Sequence, residues 1–175
     1  TTDYETKSGF SIDIIATDRS GNSATQAVTI TENNVNEAPT AISLSSSTVA
    51  ENSTGGVVGS LSTTDTDSGD SHTYALSGTD KDSFEVVEGQ LKLKDTVTAN
   101  YEMKSGYSVT VKATDSGGSI FGKTLTVSVT DINEVPTDIA LSSVTISEDS
   151  AAGTVVGDLS AADPTSIFNI FGLIP

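Results

Sequence analysis

The side chains in this sequence that could do chemistry are nearly all carboxylates, and they fall in short runs. Asp3 and Glu5, Asn36 and Glu37, Asp65, Asp67 and Asp70, and Asn133 and Glu134 each bring oxygen donors within a few residues of one another. Two carboxylates about 4 Å apart at an effective dielectric of about 20 repel by about 4 kcal/mol, so such runs invite a cation. Calcium suits the donor mixture, because a hard divalent ion takes about six to eight oxygens from carboxylates, amides and backbone carbonyls. Taken singly, each run also reads as an ordinary Asp-rich turn. The run from Asp65 departs from an EF-hand loop, since its twelfth position is Leu76 and not Glu.

Other chemistries find less support. The single histidine, His72, lies in Ser71-His72-Thr73-Tyr74 at the start of a predicted strand and reads as structural. No Gly-x-Ser-x-Gly elbow surrounds any serine, which leaves a Ser-His-Asp site without a frame. Asp3 and Glu5 form a formal glycosidase pair, but only Tyr4 stands nearby to hold a sugar. A carbohydrate-binding module of a larger secreted enzyme is the alternative reading, but four Tyr, five Phe and no Trp, mostly on inward faces, argue against a sugar platform. Asn52-Ser53-Thr54 fits a glycosylation sequon, a triplet common by chance.

Composition narrows the field further. A net charge of -16 with only eight basic residues leaves no stripe to neutralise phosphates, which excludes nucleic acid. The absence of cysteine excludes disulfides and thiolate zinc sites, so any metal must be held by oxygen. No apolar run approaches the roughly 18 residues of a membrane helix, and no leader pattern opens the chain; targeting signals are expected elsewhere in a parent protein or nowhere.

The elements that position these acids repeat. Asp3 to Asp18 reappears as Asn100 to Asp115, Asn34 to Thr40 reappears as Asp131 to Thr137, and Pro136 follows Pro39 by 97 residues. Ala50 to Asp67 is echoed, with one inserted residue, up to Thr165. A period of that length is a whole domain. The expected layout is the back half of one repeat at 1–38, a complete repeat at 39–136, the front half of a third at 137–165, and an apolar tail of unknown status at 166–175.

Within a repeat the dominant signal is alternation. Tyr107, Val109, Val111 and Ala113 share one face, as do Phe121, Lys123, Leu125, Val127 and Val129; Phe10, Ile12, Ile14 and Ala16 with Val28 and Ile30 repeat the pattern. Further strands are expected near 42–44, 57–62, 73–76, 84–87 and 90–94, and a single helical turn within 95–104. About seven short antiparallel strands per repeat predict an all-β fold of immunoglobulin-like sandwiches in tandem.

In order, the acidic runs resemble the cadherin repeat, in particular the cadherin-like repeats of large bacterial surface proteins. The family's linker motif is similar to Asp131-Ile132-Asn133-Glu134-Val135-Pro136, its D-x-E to Asp3-Tyr4-Glu5, and its x-E-N to Ala50-Glu51-Asn52. Its D-x-D resembles Asp65-Thr66-Asp67, and its A-x-D resembles Ala113-Thr114-Asp115. The resemblance implies calcium between successive repeats. At the first junction the implied ligands are Asp3, Glu5, Asn36, Glu37 and the carbonyl of Val35 from one repeat, with Asp65, Asp67 and Asp115 from the next. At the second they are Glu51, Glu102, Asn133, Glu134 and the carbonyl of Ile132, then Asp163. That junction is poorer, because Asn100 replaces an Asp and Thr165 replaces the second Asp of D-x-D. Asp18 and Glu148 would serve junctions beyond the chain.

The resemblance further implies a non-enzymatic, extracellular or cell-surface role in cell adhesion, homophilic in the family, within a membrane- or outer-membrane-anchored parent. Its partners would be calcium, neighbouring repeats, and other cell-surface proteins or glycans. The vertebrate strand swap uses an anchoring tryptophan, which this chain lacks, so a spacer is favoured over an adhesive tip.

Overall fold

The computed structural model describes residues 2–163; Thr165 and the 166–175 tail fall outside the described residues. Twelve strands are assigned there: β1 (Gly9–Thr17), β2 (Ser23–Thr31), β3 (Ala41–Leu44), β4 (Thr48–Ala50), β5 (Val57–Thr64), β6 (Thr73–Ser77), β7 (Phe84–Val87), β8 (Gln90–Leu93), β9 (Gly106–Thr114), β10 (Ile120–Thr130), β11 (Asp138–Leu141) and β12 (Leu159–Ala162). A 3-10 turn, Lys81–Ser83, precedes β7. The fold is all-β, as the alternation implied.

The central repeat, β3 to β10, is a sandwich of two four-stranded sheets ordered β4-β10-β9-β6 and β3-β5-β8-β7. The inward residues of β9 behave as their spacing predicts: Val109, Val111 and Ala113 are fully buried and Tyr107 nearly so. They meet Ile42, Val58, Leu61, Phe84, Leu91 and Leu93 from the facing sheet in one apolar cluster. Phe84 and Tyr107 join the sheets edge to face, with centroids 5.4 Å apart. Lys123, the polar member of the inward set on β10, reaches across to donate to the Ile42 carbonyl at 2.8 Å. Gly59 is required at the bulge in β5, because a Cβ there would press on the Ser46 backbone.

Two expectations need correction. The sandwich has eight strands and not seven, and β4 runs parallel to β10 while the other pairings are antiparallel. Three residues are too few to show alternation, and β4 exists because the chain crosses from one sheet to the edge of the other just after β3. The helical turn is present as a single Lys104 to Asn100 backbone bond of 2.9 Å.

The flanking segments repeat parts of this sandwich in the same register. Tyr107 pairs with Val127 as Phe10 pairs with Ile30, and Leu44 pairs with Leu61 as Leu141 pairs with Leu159. Turn bonds recur too: Val129 N–H to Ser105 O and Glu32 N–H to Ser8 O are both 2.9 Å. With no facing sheet among the described residues, however, Ile12, Ile14 and Ile30 are about half exposed.

Candidate calcium centres at the repeat junctions

The carboxylates collect in groups drawn from the two linkers and from the loops that flank β1, β4, β5, β9 and β10. At the first junction Glu5 comes from the turn before β1, Glu37 from the 32–40 linker, and Asp67 from the loop after β5. One carboxylate oxygen from each lies within 4.8 Å of the others. That spacing matches ligands sharing one ion at calcium–oxygen distances of about 2.3–2.6 Å. The linker is tied to the central repeat by Asn34 Nδ2 donating to Asp67 Oδ1 and Glu37 N–H donating to Asp67 Oδ2, each 2.8 Å.

A second group lies alongside: Asp65, Asp70 and Asp115 also bring oxygens within 4.8 Å. Asn36 bridges into it, its amide donating to Asp115 Oδ2 at 3.0 Å, and Asp115 Oδ1 accepts from Ser119 N–H at 2.7 Å. His72 Nε2 lies 2.8 Å from Asp65 Oδ2, so the lone histidine braces a proposed ligand and takes no separate site. Asp70 accepts from the Ser116 hydroxyl and backbone N–H.

Asp3 is turned differently. Its carboxylate accepts from the Glu5 and Thr6 backbone N–H groups at 3.2 and 3.4 Å and from the Thr6 hydroxyl at 2.8 Å, which holds its pKa below the usual range. Asn100 does the same local work, accepting from Met103 N–H at 2.7 Å. Its substitution for Asp therefore preserves the turn and removes a charge.

The electrostatics mark Glu37 out. Desolvation first, and then the neighbouring charges of Asp67, Glu5, Asp3 and Asp65, push its carboxyl above the ordinary range. Its Oε2 is buried without a hydrogen-bond partner, as is Oε2 of Glu32. Both line a cleft of about 300 Å³ with Asp3, Tyr4, Glu5 and Asn34. A buried carboxylate oxygen lacking a donor is what a bound cation would satisfy.

The second junction gathers Glu51, Glu102 and Asp131. Glu51, 2% exposed, accepts Tyr101 N–H at 3.0 Å and Ile132 N–H at 2.5 Å, and these bonds hold its pKa below the usual range. Glu102 is shifted the other way. The bond from its own N–H favours the charge, but desolvation and the charges of Glu51 and Glu134 prevail and raise it. Glu134 Oε1 accepts from Asn52 at 3.0 Å, and Asn133 Nδ2 donates to the Glu134 carbonyl at the same 3.0 Å as Asn36 to that of Glu37. Val35 and Ile132 occupy the matching linker positions with exposed side chains. Asp163 follows β12, half-buried, and is not a member of the Glu51 group.

Two acids join these groups without having been expected as ligands, Asp70 and Asp131. Asp131 carried a signal: it opens the Asp131-Ile132-Asn133-Glu134 block and matches Asn34, whose amide is instead spent on Asp67. Asp70 carried only its place in an Asp run.

Comparison with known proteins agrees with the fold. Residues 45–130 match the Cadherin domain family. Human Protocadherin Fat 1 is 30% identical over 176 residues, covering 92% of this chain and 4% of that protein. Human Protocadherin-23 is 34% identical over 91 residues, covering 50% of the chain and 3% of its own length. The chain thus spans a small fraction of these relatives. Among solved structures, the Protocadherin GammaB4 extracellular domain superposes with a TM-score of 0.70 at 21% identity, covering 93% of this chain and 27% of that one. The Protocadherin gammaB7 EC3-6 cis-dimer structure gives 0.66 at 26% identity, covering 93% and 41%. These relatives are protocadherins, the curated ones human, and they give no support to the narrower likeness to bacterial surface proteins. Residues 45–130 of this chain are a cadherin domain.

Proposed function

We propose that the chain is a calcium-stiffened extracellular spacer of tandem cadherin repeats, contributing to cell adhesion by setting the reach of a larger cell-surface protein. The carrying observation is the Glu5, Glu37 and Asp67 group, drawn from two successive repeats, with a Glu37 oxygen buried and unpartnered. The repeats divide at 1–38, 39–136 and 137–165, with the linkers acting as shared ligand strips.

At the first junction Glu5, Glu37 and Asp67 would hold one ion, with the Val35 carbonyl and the turn of Asp3 beside it. Asp65, Asp115 and Asn36, supplemented by Asp70, would hold another. At the second junction Glu51, Glu102 and Asp131 would form the core, with Glu134, Asn133 and the Ile132 carbonyl adding donors from the linker and Asp163, outside that group, offering one from the next repeat. The donors are all hard oxygens, which suits calcium. Calcium would neutralise charges that otherwise push the repeats apart, and each ion at about ten times its dissociation constant adds about 1.4 kcal/mol to the bound conformation.

Calorimetric titration of the 175-residue chain tests this against Asp67→Ala and Glu37→Ala. Several binding events with a rise in melting temperature, reduced in both variants, are expected. No heat at about 10 mM calcium, above the range of about 0.1–1 mM for extracellular modules, would remove calcium from the reading.

A further inference from the structure

Asn52-Ser53-Thr54 is the one Asn-x-Ser/Thr triplet in the chain, and the calcium reading makes no use of it. Asn52 follows the buried Glu51 and is itself exposed, as is Thr54. The backbone of Asn52 is left-handed, with φ at 59°, a conformation that Asn and Asp adopt more readily than other side chains. The turn alone does not call for an amide, because the counterpart 97 positions on, Asp149, takes φ of 60° with a carboxylate. Thr54 is likewise replaced there, by Ala151, so the two residues that a glycan acceptor requires are both particular to the central repeat. The triplet is also held firmly. Asn52 N–H donates to the Ala99 carbonyl at 2.9 Å, Gly55 N–H donates to that of Val97 at 3.2 Å, and the Thr54 and Thr98 hydroxyls lie 2.7 Å apart. The Asn52 amide turns toward the linker, its Nδ2 donating to Glu134 Oε1 at 3.0 Å. All of these bonds are made within residues 39–136.

We infer that Asn52 carries an N-linked glycan, transferred from a lipid-diphosphate-linked oligosaccharide. The bond that forms joins Nδ2 to the anomeric carbon of the first sugar. The bond that breaks joins that carbon to the diphosphate oxygen, which leaves with the electron pair while Nδ2 gives up one proton; nothing is oxidised or reduced. A side-chain amide has two N–H groups, so one can be exchanged for the sugar while the other keeps the bond to Glu134. A bulky, solubilising group at this place stands beside the second junction and keeps other chains off the 131–136 linker. The junction is then reserved for the repeats on either side of it, which suits a spacer.

The full chain, produced behind a cleavable leader in a secreting eukaryotic cell and recovered from medium and cell extract alike, tests this by its mass before and after an amidase that releases N-linked glycans. A discrete mass increment is expected, removed by the amidase with conversion of Asn52 to an aspartate in peptide mapping. Thr54→Ala and Asn52→Asp, which copy the third repeat, should both lack the increment, and Thr54→Ser should keep it. A secreted chain of unmodified mass, or an increment that survives Thr54→Ala, would overturn the inference. It rests on the extracellular part of the proposed function and not on calcium. A secreted chain that binds calcium without a glycan would sink the inference and leave that function standing, whereas a glycosylated chain that binds no calcium would do the reverse.

Discussion

Glu37 and Glu51 occupy opposite ends of the same electrostatic problem. Glu51 is supplied with two backbone N–H donors and keeps its charge easily, whereas Glu37 is desolvated beside four other acids. In metal-free protein the two carboxyls should therefore titrate on either side of the ordinary glutamate value, Glu37 above and Glu51 below, and carboxyl NMR reads this directly. The linkage signs follow. The raised group adds stability below its unfolded pKa that is lost as pH rises through its folded pKa. The lowered group adds stability above its unfolded pKa that is lost as pH falls through its folded one. Coincident midpoints would contradict the burial and crowding seen at Glu37. Substitution makes the same point: Glu37→Gln should raise the metal-free melting temperature slightly by removing repulsion, yet weaken calcium by at least the roughly 10- to 100-fold typical of losing a group that only orients ligands. A fall in metal-free melting temperature would mean that Glu37 is structural. The sequence located most of these acids because linker and loop blocks recur with fixed spacing. It did not show that Asp3 would be occupied by its own turn or that Asp70 would face Asp115, since both depend on loop conformation.

At the scale of elements, the loop after β9 must approach the linker closely. Gly117 lies where any Cβ would run into the Asn36 amide, the group that bridges to Asp115. Gly117→Ala is therefore expected to displace Asn36 and weaken calcium at the first junction while leaving the sandwich intact, read as lowered affinity with an unchanged metal-free melt. Leu93→Ala, fully buried in the facing sheet, should do the reverse, costing about 2–5 kcal/mol of stability by urea unfolding. Equal effects of the two on stability would break the separation between junction and core. That separation explains what was legible. Strands β1, β9 and β10 could be read because their residues alternate over enough positions to fix a face, and even Lys123 in the β10 set did not obscure the pattern. β4 could not, because it is three residues long and is held by the edge of β10 and not by its own periodicity.

Among the described residues one sandwich stands between two two-stranded ladders, in a chain with a net charge of -16, and on the proposed reading the carboxylate groups between them set whether that charge splays or joins its neighbours. Screening by salt shortens the reach of repulsion to about 8–10 Å at physiological ionic strength but supplies no ligand geometry. Calcium does both, so the two should separate in a distance measurement. The chain has no cysteine, which allows clean spin-label pairs: Ser11→Cys with Lys112→Cys across the first junction, and Lys112→Cys with Ser160→Cys across the second, all at exposed positions. In chelator both distance distributions should be broad, and added sodium chloride should leave them broad. Calcium should narrow the first pair at lower concentration than the second, because the first junction gathers two carboxylate groups and the second only one among the described residues. Asp67→Ala should abolish narrowing at the first junction alone. Narrowing by sodium chloride would mean that screened packing of the linkers sets the shape, and simultaneous narrowing of both pairs would mean that the junctions are coupled through the central sandwich and are not independent hinges.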